Sequence, residues 1–124
     1  MLKFYKCGVC GNIAIKVVDK KVPLFCCGSA MQEIKANTVD AALEKHVPAV
    51  TYEDGQLNVV VGSVLHPHTE AHYIQFIVVE TTEGYLIKEL SWEEEPKASF
   101  TVKKENVKAV YEYCNLHGLW KVEL

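Results

Sequence analysis

Four of the five cysteines fall within the first 27 residues, as Cys7-Gly8-Val9-Cys10 and Cys26-Cys27, while Cys114 stands alone near the end of the chain. Two cysteines separated by two residues, with a glycine to curl the loop, can place both sulfurs on one tetrahedral ion at about 2.3 Å. The second pair completes a four-thiolate site. A disulfide framework is a poorer reading: the count is odd, and no apolar segment precedes Cys7, so an export signal and an oxidising compartment are not expected. Cys26 and Cys27 are adjacent, whereas a zinc ribbon spaces its second pair by two. Neighbouring side chains on an extended backbone point to opposite sides, so gathering both sulfurs predicts a distorted site. Distortion brings zinc no functional advantage but tunes the potential of an iron centre, which favours iron.

The histidines are placed differently, at positions 46, 66, 68, 72 and 117. Cys114-Asn115-Leu116-His117 puts a thiolate three residues from an imidazole. His66-Pro67-His68-Thr69-Glu70-Ala71-His72 holds three imidazoles of one parity, which in a strand would share a face; spacing does not choose which of them bind. His46, ahead of Val47-Pro48, reads by itself as a loop histidine. Neutral imidazoles with one soft thiolate suit iron, zinc, copper or nickel, so the set does not name its ion. Two sites of different chemistry are expected, one in a cysteine-rich head and one in a histidine-bearing body.

The elements that position these residues follow from local pattern. Residues 1–36 form an irregular module too small to offset its chain entropy without a staple such as a metal. Asn37 or Thr38 is a candidate N-cap for a short helix through Asp40-Ala41-Ala42-Leu43, which must end by Val47-Pro48. Residues 37–124 then read as β: Ala49–Tyr52 and Leu57–Val61 around an Asp54-Gly55 turn, His72–Thr81 and Tyr85–Leu90 around Thr82-Glu83-Gly84, then Ala98–Val102, Val107–Tyr113 and Gly118–Leu124. About seven short strands with turns between them predict an antiparallel sandwich. With a net charge of −3 and scattered lysines, nucleic-acid binding is not expected. The longest apolar runs are too short for a membrane span, and a cytoplasmic location is expected.

On these residues the chain resembles desulfoferrodoxin, the two-iron form of superoxide reductase. The head, from Tyr5-Lys6-Cys7-Gly8-Val9-Cys10-Gly11-Asn12 to Cys26-Cys27, is similar to desulforedoxin. The body is similar to neelaredoxin through Asn37–Ala42, Glu44-Lys45-His46-Val47-Pro48, His66-Pro67, His72-Tyr73-Ile74-Gln75 and Tyr113–Gly118. The resemblance implies an immunoglobulin-like sandwich behind a rubredoxin-like head, and two iron ions. One would be held by Cys7, Cys10, Cys26 and Cys27. The other would be held by His46, His66, His72 and His117, with Cys114 axial and the opposite position open. It further implies roles beside that open position for Glu44, which can occupy it, and Lys45, a cation near it. His68 becomes a loop residue near the site. The implied reaction is one-electron reduction of superoxide to hydrogen peroxide, protecting an anaerobe or microaerophile, with a rubredoxin-type donor and a homodimeric assembly. The competing readings are a non-catalytic zinc-binding sandwich and a simple electron carrier.

Overall fold

The computed structural model describes residues 2–38, 43–62 and 68–124, and the chain divides into two compact units, Met1–Lys35 and Ala36–Leu124. In the first unit, β1 (Phe4–Lys6) lies between β2 (Ile13–Ile15) and β5 (Gln32–Ile34), antiparallel to both, with Tyr5 opposite Ala14 and Glu33. Leu2, Phe4 and Cys7 are its buried apolar residues. The strand expected to run on to Val18 stops at Ile15, and Val17 and Val18 are exposed: a unit this small has nothing to bury them against. A hairpin of β3 (Phe25–Cys26) and β4 (Ser29–Ala30) turns at Cys27-Gly28, whose φ angles of 53° and 76° are both left-handed, as a tight two-residue hairpin turn requires.

The second unit is a two-sheet sandwich. One sheet has the order β10 (Lys97–Thr101), β7 (Gln56–Val61), β6 (Pro48–Glu53). The other has the order β12 (Gly118–Glu123), β11 (Val107–Cys114), β8 (Ile74–Thr81), β9 (Gly84–Glu89). Asp54 and Gly55 adopt φ of 52° and 76°, so the Asp-Gly turn closes β6 on β7 with Glu53 opposite Gln56. Alternation then sends Leu57, Val59 and Val61 inward to meet Ile74, Ile77, Val79, Val110 and Cys114 of the facing sheet. Burying each such aliphatic side chain contributes roughly 1.5–3 kcal/mol, which fixes the register of the strands that carry the site.

Three local expectations are corrected. Asn37 is not a helix cap: its φ is 61°, its Oδ1 accepts from the Lys121 N–H at 2.9 Å, and its Nδ2 donates to the Lys121 carbonyl at 3.2 Å. The helix α1 is described over Leu43–His46, Val39–Ala42 lying outside the described residues, and Pro48 opens β6. Strand β8 begins at Ile74 rather than His72, because Thr69 and His72 exchange main-chain hydrogen bonds (2.9 and 3.1 Å) across a tight turn. His68 and His72 therefore do not lie along a strand, and shared parity does not align them.

Candidate metal centres

In the head, the residue spacing is converted into a cage by two turns. Gly11 N–H donates to the Cys7 carbonyl (3.1 Å) and Cys7 N–H to the Asn12 carbonyl (2.9 Å), curling the chain so that the Val9 and Cys10 amides both donate to Cys7 Sγ at 3.4 Å. The hairpin turn solves the problem posed by adjacent cysteines. Cys26 ends a strand while Cys27 sits in a left-handed conformation, so the backbone is not extended and the two sulfurs approach to 4.0 Å. Cys10 Sγ lies 3.5 Å from Cys26 Sγ. Thiolates about 2.3 Å from a tetrahedral ion stand about 3.8 Å apart, and these separations bracket that value. The donor set fits a metal.

Electrostatics in the head points the same way. The two amides pull the Cys7 thiol down to about 6. The neighbouring sulfurs, Cys10 foremost, push Cys26 up and Cys27 up to about 12, because each added anion is repelled by the others. A cation at the centre reverses that repulsion. Asn12 Nδ2 donates to Cys26 Sγ at 3.5 Å, and Cys10 and Cys27 remain exposed.

In the body, His46, His72, Cys114 and His117 place their donor atoms within 4.8 Å of one another. Each arrives by a different route. His46 closes α1, is 2 % exposed, and stacks on the buried Trp120 ring at 5.1 Å. Its Nε2 is 3.1 Å from His117 Nδ1, close to the roughly 3 Å expected of two nitrogens occupying adjacent positions about 2.1 Å from one ion. Cys114 ends β11, and the loop Asn115-Leu116-His117 returns the chain to β12 through Gly118 at φ 82°, bringing His117 Nδ1 within 3.9 Å of Cys114 Sγ. Trp120 Nε1 donates to the His117 carbonyl at 3.0 Å, holding that loop. His72 sits on the Thr69 turn, its ring edge-on to His117 at 5.0 Å.

Burial pushes the Cys114 thiol up, the His117 and Leu116 amides pull it down, and Glu112 pushes it up further. Burial holds His72 below the usual imidazole range, helped by His117, His46, His68 and, among the weaker contributors, the Lys45 ammonium. A depressed imidazole is a neutral donor near pH 7, which is what a metal needs. Lys45 is exposed at the end of α1. Glu44 lies in the same helix and His66 outside the described residues. His68 is not among the converging donors: its Nε2 accepts the Ile74 N–H at 2.9 Å, and its ring stands edge-on to Tyr73 at 6.0 Å.

Two residues of this region carry no signal of their own in motif spacing. Asn115 accepts from the Tyr73 N–H (2.9 Å), donates to the Ala71 carbonyl (3.0 Å) and gives its own N–H to the Tyr73 carbonyl (3.2 Å), tying the His72 segment to the Cys114 loop. Glu112 is fully buried on the Cys114 face of β11, and neither carboxylate oxygen has a hydrogen-bond partner among the described residues. Its place was readable from alternation with Val110 and Cys114. Trp92, expected in the core, is instead 41 % exposed, whereas Trp120, Tyr111 and Tyr113 are buried.

Comparison with known proteins gives a consistent result. Residues 38–123 match the family model described as Desulfoferrodoxin. A desulfoferrodoxin homolog of Archaeoglobus fulgidus is 44% identical over 121 residues, covering 98% of this chain and 96% of that one. The desulfoferrodoxin of Desulfarculus baarsii is 44% identical over 123 residues with the same coverage. Among solved structures, the superoxide reductase of Treponema pallidum superposes with a TM-score of 0.82 at 32% identity, covering 99% of both chains.

Proposed function

The chain belongs to the desulfoferrodoxin family, and from that premise we propose that it is a superoxide reductase, converting superoxide, one electron and two protons into hydrogen peroxide. The observation that carries this reading is the convergence of three imidazoles and one buried thiolate within 4.8 Å in the body. The cofactors are two iron ions, one for each cluster. The body iron, when bound, supplies the electron.

The chain's own residues prepare that site. His46, His72 and His117 offer neutral donors, so the bound ferrous ion keeps positive charge that attracts an anion. Cys114, fully buried and approached by the Leu116 and His117 amides, offers the one anionic donor, whose electron density favours oxidation of the iron. Lys45 adds a cation at the helix end that focuses anionic substrate despite the net charge of −3. His66 is the remaining imidazole donor and Glu44 the carboxylate that closes the open position after turnover. Residues 1–36 form the desulforedoxin-like module and 37–124 the reductase domain. Four thiolates fill the head's tetrahedron, so that iron does not meet substrate. The donor is a rubredoxin-type protein, the chain works as a homodimer, and it acts in the cytoplasm. No helix among the described residues is long and apolar enough to cross a membrane.

Metal analysis with a visible spectrum tests this. Protein grown with ample iron should carry about two iron ions per chain, absorb through sulfur-to-iron charge transfer, bleach with reductant, and consume superoxide. A colourless, zinc-filled protein that leaves superoxide untouched would establish the zinc-module reading instead.

A further inference from the structure

The third imidazole of the histidine-rich segment has a place that ligand chemistry does not explain. Ile74 opens β8 and is fully buried opposite Cys114, at a point where the β8–β11 register shifts between Tyr113 and Cys114. His68 Nε2 accepts the Ile74 N–H there at 2.9 Å. Burial makes the ring resist charging, while the main chain at Glu94 and Trp92 favours a proton on it. His68 thus spans from the loop after β9 to the first amide of β8. Two residues before that amide is His72, whose segment Asn115 grips from the other side through Ala71 and Tyr73.

We propose that His68 is a positioning residue for the body's metal site: by taking the buried Ile74 N–H on its Nε2, it fixes the start of β8 against Cys114 and so sets where His72 presents its imidazole. The nitrogen that accepts the Ile74 proton is not available to an ion, so His68 acts through His72 rather than beside it. Removing the acceptor leaves a buried N–H unpaired and lets the strand start shift. The cost appears as a looser metal site, since groups that orient a metal's ligands typically govern affinity by about 10- to 100-fold.

The proposal rests on the body site being a metal site, and the test separates the two. In the full-length chain, His68→Leu removes the acceptor, and His68→Gln keeps one. Two quantities are measured: exchange of the Ile74 amide by NMR in the metal-free protein, and cobalt(II) binding at the body site, read from sulfur-to-cobalt absorbance with the four-cysteine site as internal reference. His68→Leu should speed Ile74 exchange by about tenfold and weaken body-site cobalt binding by a similar factor, with the head unchanged. His68→Gln should restore most of both. Unchanged Ile74 exchange in His68→Leu overturns the proposal, as does a His68→Gln protein no better than His68→Leu. Failure of the unaltered chain to bind cobalt in the body would overturn the metal reading of Proposed function, and with it the positioning role, even where the Ile74 exchange behaves as expected.

Discussion

Glu112 places an ionisable group where no ion is welcome, and the consequence for stability can be worked out. The side chain is fully buried between the sheets, its oxygens lack hydrogen-bond partners among the described residues, and burial raises its pKa well above the ordinary 4.5. In the unfolded chain the carboxyl ionises near that ordinary value. Between the two values the unfolded state has released a proton that the folded state retains, so stability falls as pH rises, by about 1.4 kcal/mol per pH unit. Below pH 4.5 both states hold the proton and the slope from this group vanishes. Glutamine at this position has nearly the same shape and never ionises. The stability of Glu112→Gln relative to the unaltered chain should therefore climb with pH, by about 2.7 kcal/mol between pH 5.5 and 7.5 while the folded carboxyl stays protonated. Urea titrations of the metal-free proteins at three pH values in that window measure it, and all other titrating groups cancel in the difference. The starting offset has either sign, since an amide is also costly to bury; only the slope carries the argument. Two parallel stability curves would refute it, and would mean that Glu112 finds a partner or water on folding.

Other substitutions and conditions test the two metal sites. Lys45→Ile should slow the second-order reaction with superoxide by about tenfold and flatten its dependence on ionic strength, read by pulse radiolysis; an unchanged rate would remove Lys45 from the encounter. In the head, Cys26 and Cys27 are protonated near pH 7 without metal, Cys27 up to about 12, whereas Cys7 at about 6 is largely ionised. Metal binding there should release at least about two protons, so affinity rises steeply with pH between 7 and 8, and pH-dependent competition with a chelator reports it. Cys10→Ser should strip the head of its metal and of amide protection in β1; full superoxide turnover in that variant would assign the head iron a structural part, and lost turnover an electron relay.

Motif spacing was informative where chemistry depends on residue type at short range. The four head cysteines and Cys114 with His117 meet because each pair is held by a turn only a few residues long, and glycines at the curling points announce those turns. Alternation carried the sandwich equally well, from the Asp54-Gly55 hairpin to the inward run of Leu57, Val59 and Val61. What spacing could not carry was anything set by contacts between distant segments. The adjacent Cys26 and Cys27 suggested strain on an extended backbone, but the hairpin turn at Cys27-Gly28 converges the sulfurs without one. His46 looked like a loop histidine, because the ring that buries it, Trp120, lies 74 residues away in sequence and is joined only by the fold. Shared parity proved misleading for His68 and His72, since the Thr69–His72 turn sits between them and breaks the strand. The same turn gives the two imidazoles different surroundings, one turned toward Cys114 and His117 and the other toward the amide of Ile74. Three histidines in seven residues therefore overstate the number of ligands, because a buried backbone donor at a register shift competes for imidazole nitrogen as surely as an ion does.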